Sequence, residues 1–317
     1  MTRISPTVQP RIAARQPRTG LRSGVGRAPA PAVLLAALLG AVVWSYWPVI
    51  WGLWREWQRN PNYSVGQLVP PAALYLLWHE RHRLRGVPAT VCWWGLVPLL
   101  LAEVVRGLGL LFLYESAERY ALVLAIVAVV LLLAGPALFW RVRWILAFLV
   151  LMVPLPGRVH NLISGPLQDW ATTGTVFVLE LAGTYVVREG NVLSLNNHGP
   201  IGIEEACSGL RMLTAFVVVA AFFVLTVQRP TWQRVSLLVS SVPIALVCNV
   251  ARVVATVALF LYVGGAAAER FVHDFAGIAM MPLAVALLIA ELWLLDRIVS
   301  RPASQERGVA TAQRAVE

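Results

Sequence analysis

Long apolar runs set the terms on which this chain can fold. Ala32–Leu53, Val91–Leu113, Tyr120–Phe139, Leu210–Val227, Val235–Val263 and Ala276–Leu295 carry few or no charges, and a helix needs ~20 such residues to cross a bilayer. Backbone in hydrocarbon must satisfy its own hydrogen bonds, so these runs must be helical. Two shorter runs, Val65–Trp78 and Trp144–Pro156, contain or end in proline and read as tilted or protein-buried segments. The expected fold class is an all-α polytopic membrane protein with about eight transmembrane helices. Composition agrees: 58% of residues are hydrophobic and 13% charged, whereas soluble domains carry about a quarter charged residues. The expected organisation is a disordered Arg-rich cytoplasmic tail over 1–30, one membrane domain over 31–296, and a short cytoplasmic tail over 297–317, with no soluble domain after the last span. The first apolar run is too long for a cleaved leader and has no small-residue cleavage site after it, so it reads as a retained helix.

The net charge is +10, and all 26 basic residues are arginine. They sit mainly in the N-terminal tail and in short loops, which is the signature of membrane topology and not of nucleic-acid binding. With the tail inside, eight crossings also place HERHRLR (His79 to Arg85), Arg141 with Arg143, Arg229 with Arg234, and Arg297, Arg301 and Arg307 inside. Segments 55–64, 114–119, 157–206 and 264–275 fall outside. The expected arrangement has both termini cytoplasmic and membrane lipids as partners. No metal-ligand or phosphate-loop pattern occurs, and no cofactor is expected. Cys92, Cys207 and Cys248 have no paired spacing, which argues against a disulfide framework.

The one long outer segment divides in two. Leu162, Ile163, Leu167, Trp170, Ala171, Val178, Leu179 and Leu181 recur near helical period, which predicts an interfacial amphipathic helix. TYVVREGNVLSL then reads as strand, tight turn at Glu189–Gly190–Asn191, strand, a small hairpin capping the outer face.

Chemistry concentrates at that face. In EEACSGLR (Glu204 to Arg211), Cys207 precedes the sixth span by a few residues. Unpaired amides and the helix dipole favour its thiolate there, and Arg211, one turn on, adds positive potential. Glu204 and Glu205 oppose it unless they pair with arginine. The plain alternative is an inert cysteine at a helix start. Arg252 lies within an apolar run, seventeen helical steps or roughly 25 Å from its inner end, hence level with Cys207. Asn249, three residues earlier on the same face, is placed to hold the guanidinium or a substrate carbonyl. A snorkelling arginine or an interhelical ion pair is the competing reading. His273, just before the eighth span, suits acid–base work, with His160 and His198 as outer-face competitors. Glu103 and Arg106, three apart in the third span, are expected to pair structurally.

EEACSGLR, NVAR (Asn249 to Arg252) and His273 with Gly277 together resemble the exosortase family, the membrane-embedded cysteine transpeptidases of bacteria related to archaeosortases. The stretches NPNYSVGQLVPPAALYLLW (Asn60 to Trp78), VPLPGRVHNLISGPLQ and VVREGNVL are similar to its flanking signatures, although Val65 stands where relatives often carry histidine. The resemblance implies catalytic Cys207, Arg252 and His273, with Asn249, Arg211 and Glu205 as substrate contacts. It implies exported protein substrates with a C-terminal motif such as Pro-Glu-Pro, an apolar helix and a basic tail, and an amine or surface-glycan acceptor that resolves a thioester. A transporter or channel, a non-enzymatic membrane assembly protein, and a polytopic acyl- or glycosyltransferase are the alternatives. Against transport, no inverted repeat is visible and the polar residues gather at one face.

Overall fold

The structure is a computed structural model, and it describes residues 31–297 apart from 89, 191, 196–198, 203–208, 228, 263–281 and 284. Helices α1 (Pro31–Ser45) and α2 (Trp47–Arg59) meet at a 68° bend. A 3-10 segment, Pro61–Leu68, leads into α3 (Val69–His79) and the single turn α4 (Arg81–Leu84). There follow α5 (Leu96–Leu111), α6 (Glu115–Phe148) and α7 (Gly157–Leu181), then strands β1 (Val186–Glu189), β2 (Val192–Leu195) and β3 (Gly199–Gly202). Two long helices, α8 (Leu210–Thr226) and α9 (Thr231–Tyr262), and a helical stretch over 285–297 complete the bundle.

Among the described residues three helices are long and apolar enough to cross a membrane: Trp93–Leu111, Glu115–Met152 and Thr231–Leu259; the bent α1–α2 pair makes a fourth if it is one broken span. The architecture is therefore the expected all-α membrane protein, while the expected eight spans are not all present as long apolar helices. The second predicted run shows why. Its first residues form the 3-10 segment, and α3 has only 11 residues, about 16 Å of helix. One face of the run is buried in the bundle, through Val65, Val69, Ala73 and Leu76, while Leu74, Tyr75 and Trp78 on the other remain exposed.

The fourth and fifth predicted runs are two limbs of α6. Gly135 interrupts the helix with φ 77° and ψ 173°, a region open in practice to glycine alone. Pro136 follows and has no amide to continue the helix. Tyr120 and Val150 line the same cavity, although a straight helix would separate them by about 45 Å. The limbs therefore fold back on each other. The turn lies at Gly135–Pro136 and not at Arg141–Arg143, where the charge pattern suggested a loop. Both arginines lie inside the second limb, yet Arg141 reaches the Arg83 carbonyl, so the charge still gathers at the same end of the bundle. Tyr75 near the end of α3 packs on Phe222 near the end of α8, and Arg229 pairs with Asp296. At this end arginines lie over exposed tryptophans: Arg81 over Trp78 at 4.2 Å, Arg143 over Trp140 at 5.1 Å, and Arg297 over Trp293 at 5.0 Å. That is the composition of a membrane–water boundary.

The opposite end carries α7 and the sheet. Leu167, Ala171, Thr172, Thr175 and Leu179 form the buried face of α7. Gly174 lies against Val250, and Leu179 packs with Val253 and Val257 of α9. The start of α7 instead meets Tyr63, through His160. Points separated by about 21 Å of helix thus meet different walls near the same end of the bundle, so α7 crosses its mouth obliquely. This is the helix expected from the apolar period. The hairpin is also present, with Glu189 opposite Val192 and Val186 opposite Leu195. A third strand, β3, pairs antiparallel with β2 and was not expected. Arg188 of β1 pairs with Asp169 and donates to Thr173 Oγ1 at 2.7 Å, which fastens the sheet to α7.

A side chain at Gly135 would meet the Thr90 carbonyl oxygen at 2.4 Å. Gly135→Ala is expected to destabilise the protein by more than ~2 kcal/mol, from strain and overlap together, which is read as a fall in the thermal midpoint of the detergent-solubilised chain.

Candidate active site at the α8–α9 mouth

The site is built where α8 begins. Gly209 occupies the position before its first turn, with φ 82°. A β-carbon there would lie 2.9 Å from Asn249 Nδ2 and 3.1 Å from its Cγ. Only glycine satisfies both the left-handed backbone and the close approach. Asn249 is fully buried in the middle of α9 (0% exposed), which an uncharged amide tolerates only with partners. Its Oδ1 accepts a hydrogen bond of 3.0 Å from Arg252 Nη2. One residue therefore has its amide face against the entry to α8 and its oxygen on the α9 arginine. Arg211, in the first turn of α8, lies close enough to Arg252 for the two charges to interact.

Like charges do not gather without a reason. Two half-buried guanidinium groups beside the positive end of a helix produce a concentrated positive potential. Such a place favours an anion, a thiolate or a carbonyl oxygen that gains negative charge. Helix α7 packs beside this mouth, with Gly174 against Val250, the neighbour of Asn249.

The other flank is formed by the 3-10 segment. Thr214 Oγ1 donates to the Asn62 carbonyl at 2.9 Å, which ties the second turn of α8 to Pro61–Leu68. Beneath this tie, Tyr63, Val65, Tyr120, Leu155, Leu210 and Val218 help to line an apolar cavity of about 190 Å³. At its rim the Tyr63 hydroxyl lies 2.6 Å from His160 Nδ1. Burial pushes the Tyr63 phenol up to about 12, so it remains a protonated donor throughout the physiological range.

The structure makes Asn249 the holder of the Arg252 guanidinium, as their spacing along α9 suggested, and places Arg211 within electrostatic range of Arg252. Cys207, Glu204, Glu205, Ser208, His198, His273 and Asp274 lie outside the described residues. Cys207 stands two positions before Gly209 in the chain. Glu103 and Arg106 pair at 3.6 Å as expected, but they do so away from this mouth. Tyr63 and the Asn62 carbonyl had no chemical signal in the sequence. Only the likeness of NPNYSVGQLVPPAALYLLW to a family signature marked that segment.

Gly209→Ala is expected to cost ~1–3 kcal/mol and to displace Asn249. Adding Asn249→Ala should remove the overlap but not the backbone strain, so a double-mutant cycle of thermal or chemical unfolding should show coupling of ~0.5 kcal/mol or more.

A family model described as transmembrane exosortase matches residues 57–290, from the last turns of α2 into the final helical stretch and well over half of the chain. No curated protein and no solved structure matches significantly. The chain belongs to the transmembrane exosortase family.

Proposed function

We propose that the chain is a membrane cysteine transpeptidase that cleaves a C-terminal sorting signal from exported proteins and transfers them to a surface acceptor. The observation that carries this reading is the convergence of Arg211, Arg252 and the amide end of α8, two residues along the chain from Cys207. Family membership implies exported protein substrates, and the positive mouth suits the chemistry.

The substrate's apolar helix enters among the spans with its basic tail inside, and its extramembrane segment reaches the outer mouth. The Cys207 thiolate attacks the scissile carbonyl carbon, forming the S–C bond and a tetrahedral oxyanion. Arg252, oriented by Asn249, receives the oxyanion charge, and Arg211 supports the thiolate. Collapse breaks the C–N bond, His273 gives a proton to the leaving amine, and the C-terminal helix departs. An amine, or a hydroxyl of a surface glycan, then loses a proton to His273 and attacks the thioester. The new acyl bond forms and the Cys207 thiolate returns. Water in place of that acceptor makes the same steps a hydrolysis. Glu205 contacts the substrate beside Cys207. The arginine- and tryptophan-rich end faces the cytoplasm in this reading, in the inner membrane of a bacterium.

An exported reporter bearing a C-terminal sorting signal from the same genome, co-expressed with the chain, tests the reading by mass spectrometry of its new C-terminus. Processing by the wild type and none by Cys207→Ala is the expected result; equal processing by both removes Cys207 as the nucleophile. Arg252→Ala is expected to lower kcat by roughly 10²–10³-fold, the cost of losing one oxyanion donor.

A further inference from the structure

At the entry to α8 lies a second polar device that the steps above do not use. His160 occupies the first turn of α7, where that helix starts across the mouth. Its ring packs against Tyr63 with centroids 5.8 Å apart, and its Nδ1 lies 2.6 Å from the Tyr63 hydroxyl. Tyr63 is 8% exposed, so its polar atom must find partners within the protein. The phenol proton is then directed to His160 Nδ1. The opposite assignment, with Nδ1 as donor, would leave the phenol's own proton unspent at a buried site. In neutral His160 the ring proton therefore resides on Nε2. Nδ1 is engaged against buried Tyr63, so the Nε2 edge is the open side of this half-buried ring. Tyr63 also lines the cavity beside Leu210, and Asn62, its neighbour, accepts from Thr214. The device is thus mounted on the same first turns of α8 that lead from Cys207.

We propose that His160 is a substrate-binding residue: Tyr63 holds its ring with the proton on Nε2, and that N–H donates to a carbonyl or carboxylate oxygen of the substrate's extramembrane segment. This rests on the sorting reading and adds a recognition contact to it. The position suits the role. A peptide leading down into an apolar helix passes the α8 entry, to which the Tyr63–His160 pair is tied through Asn62 and Thr214. A fixed N–H donor orients the peptide at little entropic cost, because Tyr63 has already chosen the tautomer and the ring angle.

Two measurements on the full chain test it. The first needs no substrate: histidine labelled with the heavy nitrogen isotope, in the detergent-solubilised protein above the histidine titration range. The His160 resonance, assigned by its loss in His160→Gln, should show the Nε2–H tautomer and become a tautomer mixture in Tyr63→Phe. An Nδ1–H ring, or one indifferent to Tyr63→Phe, overturns the proposal. The second is binding of a synthetic sorting-signal peptide, extramembrane segment plus apolar helix, to the Cys207→Ala chain in zwitterionic nanodiscs. Adding His160→Ala should weaken binding about tenfold, and His160→Gln, whose amide N–H reaches the Nε2 position, should stay within about threefold of the parent. In the active chain His160→Ala should raise KM with kcat little changed. Unchanged binding in His160→Ala, or equal loss in the Gln and Ala variants, overturns the contact and leaves the sorting reading intact. If the Cys207→Ala parent binds no such peptide, the sorting reading itself falls and takes the contact with it.

Discussion

A backbone group that loses its helical partner away from water needs another one, and several breaks in these helices are met by polar side chains. Where α1 meets α2, Arg106 donates to the Ser45 carbonyl at 2.8 Å and to the Ser45 hydroxyl at 2.7 Å, while the Tyr46 hydroxyl donates to Glu103 at 3.1 Å. The charged pair in α5 thereby serves a neighbouring helix end and gains neutralisation within itself. At the Pro61–Leu68 segment, Asn60 accepts the Asn62 amide and Thr214 donates to the Asn62 carbonyl. At the entry to α8, Asn249 approaches Gly209. Polar side chains thus gather at these three places where the chain leaves helical geometry.

The same rule places the candidate site. A helix beginning at the membrane boundary exposes amides that attract negative charge, and α9 delivers Asn249 and Arg252 to that level because the α8–α9 pair runs antiparallel with Gly209 opposite Asn249. Met212 and Phe216 of α8 pack with Ala245 and Cys248 of α9 below this point, which keeps the register from sliding. The sheet adds weight from above: Val186 and Leu193 close over Val253 and Val257. The candidate site therefore rests on a packed pair of helices, with β1 and β2 against α9 and an apolar cavity beside the first turns of α8.

Much of this was legible beforehand. Apolar runs announced the membrane, the 3.6-residue period announced α7, and VVREGNVL announced a hairpin whose turn falls where glycine permits it. NVAR placed Asn249 one turn from Arg252, and the hydrogen bond between them follows from helical geometry alone. The turn in α6 was misplaced because charge was weighed above backbone chemistry. Arg141 and Arg143 signalled a boundary, but long arginines reach a boundary from within a helix, whereas Gly135–Pro136 cannot remain helical. β3 escaped notice because GPIG has no alternation to mark it and is a strand only through pairing with β2.

The sequence by itself determined what must be decided by local physics: which long segments are helical and which face of α7 is apolar. Those properties follow from spacing along one chain and from the cost of charge in hydrocarbon. Only the tertiary structure decided which residues from distant segments meet. That Gly209 admits Asn249, that Arg211 faces Arg252, and that Tyr63 engages His160 across 97 positions of chain depends on how helices of similar hydrophobicity choose their neighbours. That choice turns on close packing and on single buried hydrogen bonds, and neither leaves a periodic trace in the sequence.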